Sequence, residues 1–408
     1  MSHKSTLELI QARRPGWAMD PTVYDSEEVY QDDLRHIWYA SWIFAGHTFE
    51  LKKPGSYMTL QIGDYPIVVV RDSNQQIRAY HNACRHRGHR LCTQERGTAA
   101  RLVCPYHRWT YDYQGQLVFA PHMGEDFNTQ DYSLHEVHVG VVASYIYVCV
   151  ADQAPDFSQF QADLAPFIDP HRPENMKVAH METNVEQGNW KLVFENNREC
   201  YHCDSNHPEL LRSYEENNAV AGLGGDSDPQ LMAFLDKCES AGLPSRLVID
   251  PDGRYRMTRI PLSHGAQSYT MDGLPAVKTL RTDQSGVDNC GAMMYFHYPN
   301  TWNHWMGDHA LSFQMLPLDK NRTQLVTKWL VPEDAVEGVD YDLAHLTHVW
   351  QQTNAQDAAL VAECQIGVRS PSYIPGPYSG IEENGVKQFV DWYCQTMQQK
   401  LSQEIARG

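Results

Sequence analysis

Apolar and polar residues alternate with a period of two along much of the stretch from about residue 40 to 150. The segment PGSYMTLQIGDYPIVVVRDSNQQIRAYHNAC follows this pattern and breaks at Gly-Asp and Asp-Ser-Asn, which are turn signals between short strands. LVCPYHRWTYDYQGQLVFA, with Gln-Gly as a turn, and EVHVGVVASYIYVCVA continue it. An all-β domain of about 110 residues is expected here. From Ala154 to Pro173 the chain is rich in Asp, Pro and Gln and reads as a linker. Beyond Gly188 the period changes. NWKLVFENNREC carries apolar residues at Trp190, Val193 and Phe194, a helical spacing. Strand-like runs return at AMMYFHYP, ALSFQMLPL and TQLVTKWLV, and two helical stretches follow, one from Asp342 to Gly367 and one over VKQFVDWYCQTMQQKL. An antiparallel sheet covered by helices gives an α+β class for the second domain. The expected division is 1–40, a helical segment (Glu27 to Ile43 reads as helix) packing on the second domain; 41–155, the all-β domain; and 156–408, the larger α+β domain.

Composition narrows the function classes. The 408 residues contain 33 Lys+Arg and 51 Asp+Glu, a net charge of −18. A nucleic-acid binder needs a basic footprint, and a polybasic membrane anchor needs the same, so neither is expected. The longest apolar run, Val139 to Ala151, is shorter than the about 20 residues a membrane helix takes. The N-terminus lacks a signal-peptide core, so a soluble, cytoplasmic protein is expected. In a reducing compartment the 10 cysteines are expected to be mainly thiols or metal ligands rather than disulfides. With 20 histidines also present, the chemistry to look for is a place where His and Cys meet.

They meet first in CRHRGHRLCTQERGTAARLVCPYHRWT. Cys84 and His86 form Cys-x-His, and 17 residues later Cys104 and His107 form Cys-x-x-His. Two loops that each supply one thiolate and one imidazole suit a Rieske [2Fe–2S] centre, with two Cys on one iron and two His on the other. Zinc sites usually pair Cys with Cys and His with His, so this alternating order disfavours zinc. Gly88 and Gly97 permit tight loops, and Pro105 stiffens the second. Cys92, in the same stretch, is expected to be a buried thiol.

The second constellation is FENNRECYHCDSNHPELL. His202 and His207 stand five apart and, with a carboxylate, would make a 2-His-1-carboxylate site for Fe(II) with open positions. Glu199 and Asp204 are near candidates for the carboxylate, and Asp357 is a distant one. Glu199 and His202, three apart, share a helical face.

These motifs, in this order, resemble the oxygenase α-subunits of Rieske non-haem iron oxygenases, over most of the chain. The resemblance implies that Cys84, His86, Cys104 and His107 hold the cluster. It implies that His202, His207 and Asp357 hold the mononuclear iron, and that Glu199 bridges a cluster histidine of one subunit to an iron-ligand histidine of its neighbour. Most members have Asp at this bridge. Glu is familiar among those acting on quaternary ammonium compounds. The stretches ENNRECYHC, HPELL, WNHWMGDH, KWLVPEDAVEGVDYD and PGPYS are similar to the glycine betaine monooxygenase group. The implied reaction is N-methyl oxidation that releases formaldehyde, using O2 and electrons from NADH through a separate ferredoxin-type reductase, in a homotrimer. Other betaines (proline betaine, carnitine, choline) are alternatives, and ring dihydroxylation is a more remote one. GLGG at Gly222 lacks the strand–helix context of a dinucleotide site.

A trimethylammonium group is recognised by aromatic faces. MMYFHYPNTWNHWMGDHA supplies Tyr295, Phe296, Tyr298, Trp302 and Trp305. In an extended strand Trp302 and His304 share one face, Trp305 and His309 the other, and the first pair is expected at the pocket. The donor for a substrate carboxylate, whether Arg, Asn or His, stays open.

Overall fold

The computed structural model describes residues 4–214, 229–278, 287 and 289–407, so GLGG at Gly222 lies outside the described residues. The chain forms two units, Trp38–Phe157 and Met1–Ile37 with Ser158–Gly408.

The unit Trp38–Phe157 is built on a seven-stranded antiparallel sheet. Its order is Ile43–His47, Tyr145–Cys149, Glu136–Val142, Ile77–His81, Tyr65–Arg71, Ser56–Ile62 and Arg96–Thr98. The strand Ser56–Ile62 keeps the alternation of buried and half-buried positions. The inner strand Tyr65–Arg71 buries a continuous Ile67–Val70 run, as a strand covered on both faces does. Gly63 turns the hairpin between them at φ +52°, where an added Cβ would strike the Tyr39 hydroxyl. A second sheet of three short strands, Leu102–Val103, Thr110–Tyr111 and Leu117–Phe119, shares a core with the first through Val68, Tyr80, Trp109 and Tyr111.

The other unit carries seven antiparallel strands in the order Met176–Glu186, Arg322–Pro332, Ala310–Asp319, Thr301–Trp305, Ala292–His297, Tyr255–Ile260 and Val248–Ile249. Helices Trp190–Asn197 and Leu343–Val368 pack on one another, and the long helix lies against strand Met176–Glu186. Gly188 makes the approach possible, because a Cβ there would sit 2.3 Å from Val361 Cγ1. Asn189 caps the short helix by accepting from Lys191 N–H at 3.0 Å and donates its own N–H to Gln365 Oε1 at 2.7 Å. These bonds fix the two helices that carry the chemistry. The N-terminal helix Thr6–Gln11 packs on the last helix, Asn384–Arg407. Below it, buried Asp33 pairs with Lys191 and accepts from Trp190 Nε1 at 3.0 Å and Tyr393 Oη at 2.7 Å.

Two sequence expectations need correction, and one strand went unpredicted. Residues 154–173 are not an open linker: helix Ser158–Ile168 buries Phe160, Leu164, Phe167 and Ile168, an apolar stripe spaced through the Asp/Pro/Gln-rich stretch. The helix expected over Glu27 to Ile43 is Glu27–Asp33 followed by a π-helical turn, Leu34–Trp38, after which Ile43–Phe44–Ala45 enters a strand. Strand Met176–Glu186 was not anticipated, because its middle positions are only half-buried or exposed and lack a clear apolar face. Among the described residues no helix is long and apolar enough to cross a membrane.

Candidate metal centres

In the unit Trp38–Phe157, Cys84 and Cys104 begin two turns of the same construction. Cys84 O accepts from Gly88 N–H at 2.8 Å, and Cys104 O accepts from Arg108 N–H at 3.0 Å. The fourth residue after each cysteine is left-handed, Gly88 at φ +74° and Arg108 at φ +61°. The turns place both thiols inward, at 3% and 1% exposure. The imidazoles turn outward, with His86 Nδ1 and His107 Nδ1 only 3.1 Å apart. Trp109 stacks on His86 at 4.9 Å and Tyr106 on His107 at 3.9 Å, which fixes both ring planes. Tyr111 Oη lies 3.4 Å from Cys84 Sγ and accepts from Arg85 N–H. Asn82 Oδ1 accepts from Leu91 N–H and Cys92 N–H, stapling the first loop from behind. Two inward thiols and two outward imidazoles fit a [2Fe–2S] group with unlike irons. Cys92 is a buried thiol whose pKa burial pushes up to about 12.

In the other unit three side chains converge. His202 follows helix Trp190–Asn197, and His207 closes the short helix Cys203–Asn206. Asp357 projects from the middle of helix Leu343–Val368, whose start is capped by Asp342 accepting from His345 N–H at 2.8 Å. His202 Nε2 and His207 Nε2 are 2.9 Å apart, and Asp357 Oδ1 lies 3.2 Å and 3.0 Å from them. Burial alone would raise the Asp357 pKa, but hydrogen bonds from both imidazoles hold it below the usual carboxylate range. Three donor atoms meeting on one side of an open space suit a facial triad for Fe(II).

The surrounding bonds aim these rings. Glu199 Oε1 lies 2.6 Å from His202 Nδ1, and its other oxygen accepts from Tyr201 N–H. Gln356 Oε1 accepts from His207 Nδ1–H at 2.7 Å, while Gln356 Nε2 donates to Glu209 Oε2 at 2.8 Å. Each histidine thereby keeps Nε2 free to face Asp357. The near candidate Glu199 is thus a hydrogen-bond partner of a ring rather than part of the donor cluster. The other near candidate, Asp204, is exposed and does not line the cavity beside the cluster. Cys200 and Cys203, expected as thiols, are joined as a disulfide on either side of His202, and the other eight cysteines are thiols.

A cavity of about 460 Å3 opens beside the donor cluster, walled in part by Asn197, Tyr214, Met294, Phe296, His304 and Trp350. His304 is fully buried, with neither ring nitrogen hydrogen-bonded, and burial pushes its pKa down to about 3, which leaves a neutral ring in the wall. Trp302, expected beside it, is not in the wall. It stacks on Phe313 at 5.1 Å and meets Phe194 at 5.6 Å, inside the core. Strand periodicity gives the face correctly but not how far along it the cavity extends. Trp350 was missed, although it stands seven residues before Asp357 on one helix and so shares its face.

The chain matches two family models: the Rieske [2Fe–2S] domain over residues 41–145 and the ring hydroxylating alpha subunit (catalytic domain) over residues 173–399. It is 43% identical to the glycine betaine monooxygenase oxygenase subunit of Chromohalobacter salexigens, across 98% of this chain and 90% of that one. It is 41% identical to the protein of the same description in Pseudomonas aeruginosa, across 99% and 95%. The fold matches a crystal structure of a quaternary ammonium Rieske monooxygenase in complex with L-carnitine, with TM-score 0.72 and 20% identity over 97% of this chain and 100% of that one. It also matches naphthalene 1,2-dioxygenase, with TM-score 0.71 and 21% identity over 97% and 95%. The chain belongs to the ring-hydroxylating α-subunit family, the oxygenase subunits of Rieske non-haem iron enzymes that join a [2Fe–2S] domain to a mononuclear-iron domain.

Proposed function

We propose that this chain is the oxygenase component of a monooxygenase that removes an N-methyl group from glycine betaine, yielding dimethylglycine and formaldehyde. The observation that carries the reading is the aromatic cavity beside the His202–His207–Asp357 cluster. Phe296, Tyr214 and Trp350 line it with aromatic rings, the groups that recognise a cation that can donate no hydrogen bond. The neutral His304 ring adds no opposing charge. The two close relatives are described as acting on the same substrate.

Cys84, His86, Cys104 and His107 would hold the cluster, and His202, His207 and Asp357 the iron. When bound, these groups supply single electrons and activate O2. The chain's own residues do the rest. The cavity wall excludes water and sets one methyl group toward the donor cluster. Glu199 holds the Nδ1 proton of His202 and keeps that ring in one tautomer. In a homotrimer the same carboxylate would accept from His86 or His107 of a neighbouring copy, and so join the two centres across a subunit boundary. The balance is one zwitterionic betaine, one O2, one NADH and one proton giving zwitterionic dimethylglycine, formaldehyde, water and NAD+. A separate reductase is the electron partner, and the cytoplasm, which supplies NADH, is the compartment.

The test is formaldehyde release and O2 uptake by the purified protein with a reductase and a panel of betaines, choline and aromatic rings. Glycine betaine is expected to give the highest kcat/KM. Consumption of rings with betaines untouched would overturn the reading.

A further inference from the structure

Strand Tyr255–Ile260 carries Arg256 and Arg259, with Arg254 just before it, and two of the three arginines are paired in ordinary ways. Arg254 grips Asp250 with Nε at 2.9 Å and Nη2 at 2.8 Å. Arg259 donates to Cys290 O and meets His171 Nε2, both at 3.1 Å. Arg256 differs. It is 5% exposed, and its Nε and Nη1 are buried with no hydrogen-bond partner. The groups that act on it electrostatically are Arg198, Tyr298 and Tyr214; no carboxylate is among them.

Arg198 is the second cation. It follows helix Trp190–Asn197, is also 5% exposed, and donates from Nε to Tyr298 Oη at 3.0 Å while its Nη2 is left unpaired. Both guanidiniums lie over the same ring: Phe296, the cross-strand partner of Arg256, is 3.8 Å from Arg198 Cζ and 5.7 Å from Arg256 Cζ. Two buried like charges with free donors are costly. Burial, and then the Arg198 charge, push the Arg256 pKa down to about 9. A bound anion offsets that cost, because a planar fork of N–H donors matches a carboxylate.

The place is also right for substrate. Both arginines line a cavity of about 490 Å3 that shares Asn197, Glu199, Tyr214, Met294 and Phe296 with the cavity at the iron-ligand cluster. We propose that Arg256, assisted by Arg198, binds the carboxylate of the substrate and selects zwitterionic betaines over quaternary amines with an uncharged end. This rests on the glycine betaine reading above. Phe296, which lines both cavities, would lie beside the ligand where the two meet.

The test uses the holoenzyme with its reductase and compares glycine betaine with its amide, which keeps the trimethylammonium group and lacks the carboxylate. Arg256→Met is expected to lower the preference for glycine betaine over the amide by about 100-fold, mostly through KM, since truncating one partner of a desolvated charge pair has effects of this size. The ligand-free variant is expected to melt no lower than the parent, because an apolar side chain replaces an uncompensated charge. An unchanged preference, or equal losses on both substrates with a lowered melting point, would assign Arg256 a structural role and overturn the proposal. If the parent demethylates neither compound, the glycine betaine reading fails by itself. Calorimetric titration with acetate then decides the arginine site: binding by the parent that Arg256→Met abolishes supports it, and no binding by the parent overturns it.

Discussion

Replacing Gln356 by Leu should loosen the mononuclear iron while leaving the cluster untouched. Gln356 does not itself reach the donor cluster. Its Oε1 accepts the Nδ1 proton of His207 at 2.7 Å, and that bond orients the ring so that Nε2, the atom that would hold the iron, lies 3.0 Å from Asp357 Oδ1. Leu fills a similar volume but accepts nothing, so the ring loses both its tautomer bias and its orientation. A buried hydrogen bond of this kind contributes about 1–3 kcal/mol, and loss of such an outer partner weakens metal binding by about 10- to 100-fold. The assay removes the mononuclear iron with a chelator, adds ferrous ion back without oxygen, and follows occupancy through the nitric-oxide complex by EPR. The optical spectrum of the cluster is the internal control, because its expected ligands lie in the other unit. Gln356→Glu, which keeps an acceptor, should restore affinity. Iron affinity within twofold of the parent for Gln356→Leu would refute the reasoning, as would loss of the cluster spectrum together with the iron.

Glu199→Gln should retain both metal centres yet slow turnover by at least about 100-fold, the upper range for an outer partner of a ligand histidine; normal steady-state O2 uptake would remove Glu199 from the pathway. Trp350→Ala should raise KM for the quaternary amine by about tenfold, the scale of one cation–π contact, whereas Trp302→Ala should instead cost about 3–5 kcal/mol of stability as a core truncation, read by denaturant titration. Lys191→Met strands the Asp33 carboxylate in the interior and should cost about 3–5 kcal/mol, read in the same way. Asp72 accepts from Asn74 N–H, Gln76 N–H and Arg78 Nε at 2.8–2.9 Å. Burial opposes its charge, but these bonds, led by Arg78, hold its pKa below the ordinary 3.8. Its stabilisation is therefore present above about pH 4 and lost as pH falls through the lower folded value. The stability gap between parent and Asp72→Asn should shrink between about pH 5 and pH 2, and a gap that widens there would contradict the assignment.

Much of the site could be read from the sequence because metal chemistry needs rare residue types at short spacings. Cys84/His86 and Cys104/His107 each sit within one turn, so local sequence carries the geometry. His202 and His207 are similar. The residues that complete the cavity are different in kind. Met294, Phe296 and Trp350 look like any core side chains along a strand or helix, and only the packing of helix Leu343–Val368 against its neighbours shows which of them face open space. Trp302 was misplaced for that reason. Arg256 was invisible for another: its significance is a missing partner, and a sequence shows neither pairs nor their absence. Among fold elements, the strands with clear alternation were found, while Met176–Glu186 and helix Ser158–Ile168 were hidden by polar residues on their outer faces.

The central claim is oxidation of an N-methyl carbon. Its most direct test is NMR-monitored turnover of glycine betaine labelled with 13C in its methyl groups, with a reductase, NADH and measured O2. N-methyl oxidation yields labelled formaldehyde and labelled dimethylglycine in equal amounts, one of each per O2 coupled to product. O2 uptake with neither labelled product, or labelled betaine recovered intact while another substrate is oxygenated, would contradict it.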